Sequence, residues 1–178
     1  GFLQGKAVMQ YRFESDEVLY TTESLTKVSR ADIKDLKILA AKNPAKKIRL
    51  CAHPNVEDHV HEMIIVQARG TYVRPHKHLN KSESFHMIEG QLKLVFFEES
   101  GKIKDQILLS TAGGKEVFYY RLSEEWFHTV VPVSEIVVFH EITNGPFKRE
   151  ETIFPTWAPG IAEKENTKRF INQLYKNI

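Results

Sequence analysis

Residues 70 to 90 read GTYVRPHKHLNKSESFHMIEG, and this stretch decides how the rest of the chain is understood. His76 and His78 stand two apart, so on an extended backbone both side chains leave the same face. Neutral imidazole nitrogens are good ligands for first-row divalent metals, and two on one face supply two adjacent coordination positions. Glu83 follows after a gap that suits a tight turn and opens the next apolar stretch with an anionic oxygen. Gly70 and Gly90 bracket the segment where turns are needed. The expectation is a hairpin that holds three metal ligands toward one pocket. A solvent-facing polar strand with an ordinary supply of histidines explains neither the bracketing glycines nor a further histidine downstream.

That further histidine is His128, at the start of the apolar run FHTVV after the polar stretch Ser123-Glu124-Glu125. With it the ligand set becomes His76, His78, Glu83 and His128, three imidazoles and one carboxylate. Such a set with open positions suits one divalent transition metal among Fe, Mn, Zn and Ni, and the residues do not choose among them.

Working outward, short apolar segments follow one another at strand length: 46–52, 60–68, 83–89, 91–99, 102–110, 116–122, 127–131 and 135–142. Glycines at 90, 101, 113 and 114 punctuate them, a rhythm that predicts a sandwich or barrel rather than alternating βαβ units. Upstream, residues 6–13 alternate as a strand. Ser29 to Asp32 reads as a capping box for a helix over 30–42 that stops before Pro44. Downstream, the proline-broken segment 154–160 precedes a C-terminal helix whose apolar stripe is Phe170, Ile171, Leu174 and Ile178. The expected division is an N-terminal strand and helix extension over 1–46, a barrel over 47–160, and a C-terminal helix over 161–178.

Bulk composition agrees with one folded unit. The chain has 178 residues, 42% hydrophobic and 27% charged, within ordinary globular values. Its 25 basic and 23 acidic residues are scattered, with no basic block, which argues against nucleic acid as a partner. The longest apolar runs, such as Met63 to Val66, are far shorter than the roughly 20 residues of a membrane-spanning helix. A lone cysteine, Cys51, and the lack of a basic-then-apolar leader make a reducing, cytoplasmic setting the expectation.

The spacing from Gly70 through His76, His78 and Glu83 to Gly90 resembles the first sequence motif of the cupins. The second cupin motif usually reads Pro-x-Gly-x-x-His-x-x-x-Asn. Here His128 keeps the ligand position while Ser123, Glu125 and Pro132 replace the flanking residues. Together with HEMIIVQA, WFHTVVP, VFHEITNGPF and FPTWAP, the chain resembles WbuC-type cupin-fold metalloproteins over roughly residues 47–160. The resemblance implies an all-β fold, the double-stranded β-helix or jelly-roll barrel, and a place beside surface polysaccharide synthesis.

Other candidates carry less. Arg74 shares the parity of His76 and could hold an anionic group at the mouth of the barrel. Phe85, Tyr119, Tyr120 and Trp126 could form a wall for a sugar ring, although strand aromatics are more often core. His86 falls on the opposite face from Glu83, and His59 and His61 are expected at the surface or an interface. Cys51 is expected to be a small core residue. Three functional readings stay open. One is a metal-dependent isomerase or epimerase acting on a sugar or sugar nucleotide. A second is a mononuclear iron dioxygenase. The third is a non-catalytic carbohydrate-binding module. A homodimer is expected from the extra edge strand and the apolar C-terminal helix.

Overall fold

A computed structural model describes residues 9–176. Residues 6–8 of the expected first strand, and Ile178 of the expected helical stripe, lie outside the described residues. Twelve strands and two helices follow in chain order: β1 (Tyr11–Ser15), β2 (Val18–Thr21), α1 (Arg30–Lys42), β3 (Lys47–Cys51), β4 (Val60–Ala68), β5 (Lys77–His78), β6 (Glu83–Glu89) and β7 (Leu92–Phe97). They continue with β8 (Ile103–Leu109), β9 (Tyr119–Leu122), β10 (Phe127–Pro132), β11 (Ile136–Asn144), β12 (Thr152–Ile153) and α2 (Lys164–Tyr175).

The strands form a seven-stranded sheet of order β1-β2-β3-β4-β11-β6-β9, a three-stranded sheet of order β10-β7-β8, and a ribbon of β12 with β5. Sheet neighbours far apart in sequence, such as β4 with β11 and β11 with β6, give the wrapped connectivity of a jelly roll. The fold is an all-β barrel with jelly-roll connectivity, extended by two N-terminal strands and one helix at each end.

Alternation sorts each strand between two layers. Met63 and Ile65 of β4, Phe85 and Met87 of β6, and Val137 and Phe139 of β11 face the small sheet, where they pack on Leu94, Phe96 and Val130. The opposite face presents Val66 and Val138 to Ile33, Leu36 and Ala40 of α1. α1 starts as its residues dictate: the Ser29 side chain accepts from the Asp32 N–H, and the Asp32 carboxylate accepts from the Ser29 N–H. α2 lies on the outer face of the small sheet, with Leu174 and Phe170 against Val95, Phe97 and Phe127. Lys93, buried in β7, donates to the Leu174 carbonyl at 3.0 Å and places a cation at the helix C-terminus.

Two expectations are corrected. The segment from His76 to Glu83 is not a hairpin: β5 pairs with β12, and Glu83 begins a strand of the large sheet paired with β11 and β9. His61 is buried rather than on the surface, because β4 alternation puts it on the inner face beside Met63, where its ring stacks on His53 at 4.1 Å. His59, one turn of the alternation earlier, is exposed.

Candidate metal centre

Three separate pieces of backbone converge at one end of the barrel. His76 stands just before β5 and His78 lies in it, β6 carries Glu83 from the large sheet, and β10 carries His128 from the small sheet. A pair of backbone hydrogen bonds, His76 N–H to the His128 carbonyl (3.1 Å) and His128 N–H to the His76 carbonyl (2.9 Å), ties two of these pieces together. Gly70 and Gly90 hold φ of +85° and +80°, the left-handed region that glycine enters without a Cβ penalty, and so turn the chain into and out of the segment. At Gly90 a Cβ would meet the Ile136 carbonyl oxygen at 2.7 Å, so the turn is also closely packed.

The ligand nitrogens of His76, His78 and His128 all lie within 4.8 Å of one another. Each ring is oriented from behind. His76 Nδ1 lies 2.8 Å from the Arg74 carbonyl, and His128 Nδ1 lies 2.9 Å from the Trp126 carbonyl. His78 Nδ1 lies 3.4 Å from the Thr152 hydroxyl. A ring whose Nδ1–H donates to a carbonyl presents a bare Nε2 lone pair to the centre, the arrangement that outer contacts impose on metal-binding imidazoles.

Glu83 completes the group from the opposite sheet. Its carboxylate oxygens lie 3.1 Å from His128 Nε2 and 3.7 Å from His78 Nε2, and one of them accepts a hydrogen bond from the Tyr120 hydroxyl. His128 Nε2 is fully buried and has no hydrogen-bond partner, although Glu83 Oε1 is so near. Two lone-pair-bearing atoms at that distance need a cation or a proton between them. The donor set therefore fits a divalent metal on grounds of its own chemistry.

Electrostatics of the residues without metal point the same way. Burial, then the neighbouring His128 and His78, push His76 down to about 3, so it is a neutral ligand. Burial would raise the Glu83 carboxyl, but His128 and the hydroxyl of Tyr120 outweigh it and hold the group at about 2. For His128, burial works against the charged form while the Glu83 carboxylate raises it, and the net direction is up. Tyr120 is driven well above its ordinary range by burial and by Glu83, so it stays a hydrogen-bond donor.

The remaining candidates are distributed differently. Alternation along β9 brings Tyr120 to the centre and turns Tyr119 outward, about half exposed. Phe85 lies deep in the core, its ring 5.0 Å from Tyr120 and 4.8 Å from Phe139. Trp126 packs edge-on to Phe96, with the Lys104 ammonium over its ring at 3.8 Å. Arg74 stacks over Phe154 at 4.9 Å and donates to the Pro155 and Ala158 carbonyls, while its Nε is buried without a partner. His86 points outward, as parity requires, and is exposed. Cys51 is buried in the main core.

Sequence reading missed two contributors. The strap after β11 returns over the centre: Thr152 pairs with His78 in the ribbon, Phe154 lies 6.2 Å from the His76 ring, and Glu151 bonds Lys81 at 3.4 Å. The second is Glu141, whose odd position in β11 places it on the inner face with Val137 and Phe139. Burial and the Glu83 carboxylate raise its carboxyl to about 8, only partly offset by Arg49 and His128. The alternation of 135–142 contained that parity, but nothing local marked the inner face as leading to a site.

Known proteins add a modest amount. A family described as a domain of unknown function, DUF6016, matches residues 28–109. No curated protein matches the chain. Among solved structures, CapF with the inhibitor 3-isopropenyl-tropolone aligns at 16% identity and a TM-score of 0.49, over 61% of this chain and 31% of that one. The formate complex of oxalate decarboxylase from Lactobacillus farciminis aligns at 14% identity and 0.43, over 55% and 27%. Protein SO0799 from Shewanella oneidensis aligns at 9% identity and 0.49, over 69% and 78%. The chain thus spans less than a third of the CapF and oxalate decarboxylase chains. The jelly-roll assignment itself rests on the strand topology.

Proposed function

We propose that the protein is a metal-dependent enzyme that binds one divalent transition metal through His76, His78, His128 and Glu83 and isomerises or epimerises a sugar or sugar nucleotide. One observation carries the metal: three imidazoles locked from behind by backbone or hydroxyl contacts, with a buried, unpartnered Nε2 on His128 facing a carboxylate. The bound metal would polarise a substrate carbonyl as a Lewis acid. The resemblance to WbuC-type cupins supports a carbohydrate substrate. Arg74, with an unpartnered buried Nε and no carboxylate partner among the described residues, suits an anionic group of that substrate. Tyr120 and the Trp126–Arg74 carbonyls hold the ligand set in register.

Elemental analysis of protein purified without added metal tests the first half: about one metal ion per chain is expected for a set of this kind. His76→Ala should abolish stoichiometric binding, and metal retained in that variant overturns the ligand assignment. Nuclear magnetic resonance of nucleotide sugars incubated with the loaded protein in D₂O tests the second half, through deuterium entering beside a carbonyl.

The same ligand set suits a mononuclear iron dioxygenase, because three histidines and a carboxylate leave positions for substrate and O₂. Native iron with substrate-dependent oxygen uptake would select that reading. Nucleotide sugars that bind unchanged would select a carbohydrate-binding module.

A further inference from the structure

The four ligand side chains of the centre are not equally closed. Glu83 and His128 keep only 4% and 3% of their side chains exposed, whereas His78 keeps 21% and His76 is half-buried. A molecule approaching from solvent therefore meets the rings of His76 and His78 first, on the side where the strap lies. Alternation sorts the strap there. Thr152 sets its hydroxyl 3.4 Å from His78 Nδ1, Ile153 turns away into the apolar cluster of the small sheet and α2, and Phe154 turns back, its ring 6.2 Å from that of His76. Among the described residues, two phenylalanine rings lie beside the histidines of the centre: Phe96, 6.4 Å from His128, is buried, while Phe154 is 48% exposed. The Arg74 guanidinium stacks over Phe154 at 4.9 Å and is tethered to the Pro155 and Ala158 carbonyls at 3.3 and 3.4 Å. The ring is thus supported on one face before any ligand arrives, which lowers the cost of ordering it on binding. The rings expected from the sequence do not offer this: Phe85 is core, Trp126 is packed by Phe96 and Lys104, and Tyr119 lies on the outward face of the large sheet.

We propose that Phe154 is the substrate-contacting wall of the site, against which the C–H face of a sugar ring lies while the polar edge of that ring reaches toward the histidines. This assignment rests on the metal-dependent sugar reading proposed above and adds the residue that recognises the ring. Small-molecule sites combine an aromatic wall with a few convergent polar groups. Here the polar groups are the imidazoles and the carboxylate of the centre, and the wall is carried by the strap at their open side. The C–H face of a pyranose is apolar, so covering it with the exposed part of the Phe154 ring removes two apolar surfaces from water at once. An acyclic polyol offers no such face and gains less from the contact.

The test uses the full chain loaded with zinc, with UDP-glucose and UDP-N-acetylglucosamine as probes and free UDP for comparison, and reads dissociation constants by calorimetry. Phe154→Leu keeps an apolar side chain but removes the ring. In that variant the constants for both nucleotide sugars should rise about 3- to 10-fold, while zinc stoichiometry and the constant for free UDP match wild type. Phe154→Tyr, which restores a ring, should bind the nucleotide sugars as wild type does. Unchanged nucleotide-sugar binding in Phe154→Leu overturns the proposal and leaves the sugar reading standing. An equal loss for free UDP overturns it as well, because the contact then belongs to the nucleotide. Zinc lost from Phe154→Leu also overturns it, since the ring would then serve as support for His76. A wild type that takes up no zinc, or binds neither nucleotide sugar, removes the reading on which the assignment rests and the assignment with it. If Phe154→Leu does not fold, saturation-transfer nuclear magnetic resonance on the wild type decides. Irradiation of the protein's aromatic protons must reach the C–H protons of the sugar ring more strongly than those of the uridine, and the reverse pattern overturns the proposal.

Discussion

At the scale of single residues, the centre is built by contacts behind the ligands as much as by the ligands themselves. Tyr120 donates to Glu83 and fixes the carboxylate that faces His128. Tyr120→Phe should therefore weaken metal binding by roughly 10- to 100-fold, the usual cost of removing an outer contact, with the fold intact; competition with a chromophoric chelator measures it. His128 offers a second prediction. Glu83 raises its pKa, so in the metal-free protein at pH 6 it carries a proton that a metal must displace, while burial keeps His76 neutral. Zinc binding at pH 6 should release about one proton, and affinity should fall as pH drops further. Calorimetry in two buffers of different ionisation enthalpy reads the proton directly, and equal apparent enthalpies would exclude it. Glu83 itself, held at about 2, remains ionised throughout that range.

At the scale of elements, local rules and cross-strand rules divide the work. α1 is specified almost entirely by its own residues: Ser29 and Asp32 cap it reciprocally, Ile33, Leu36 and Ala40 form its buried stripe, and Asn43 ends it before Pro44. Ser29→Ala should cost about 1 kcal/mol of stability, checked by urea unfolding. β4, β6 and β11 are equally readable, because period-two alternation sorts Met63, Phe85 and Phe139 inward and His86 outward. The strap is the opposite case. The two-residue strands β5 and β12 are too short to show any period, and they exist because Thr152 and Ile153 pair with His78 and Lys77 across a long stretch of chain. A hairpin from His76 to Glu83 was the reasonable expectation from spacing. It fails because β6 finds its partners in β11 and β9 instead.

For the whole molecule, the candidate metal centre lies where the two sheets and the ribbon meet, so its side chains are brought together only when the barrel closes. The N-terminal strands extend the large sheet rather than standing apart: β2 pairs in parallel with β3, and β1 forms its edge with Phe13 exposed. Among the described residues, no helix is long and apolar enough to cross a membrane. The exposed edge supports the proposed homodimer, with β1 pairing across a two-fold axis. Light scattering should then give twice the chain mass of 20.6 kDa; a clean monomer would refute it, and Phe13→Lys should shift the dimer toward monomer.

The residues alone determined a run of short strands fit for a sandwich or barrel, the helix over 30–42 and the group of His76, His78, Glu83 and His128, because parity and spacing are local and survive without knowing any partner. Tertiary structure alone decided that Tyr120 and not Tyr119 meets Glu83, that His61 is buried, and that the strap covers His76. Each of those depends on which strand lies beside which, and strand pairing is set by the packing of the closed barrel rather than by any stretch of the chain read by itself.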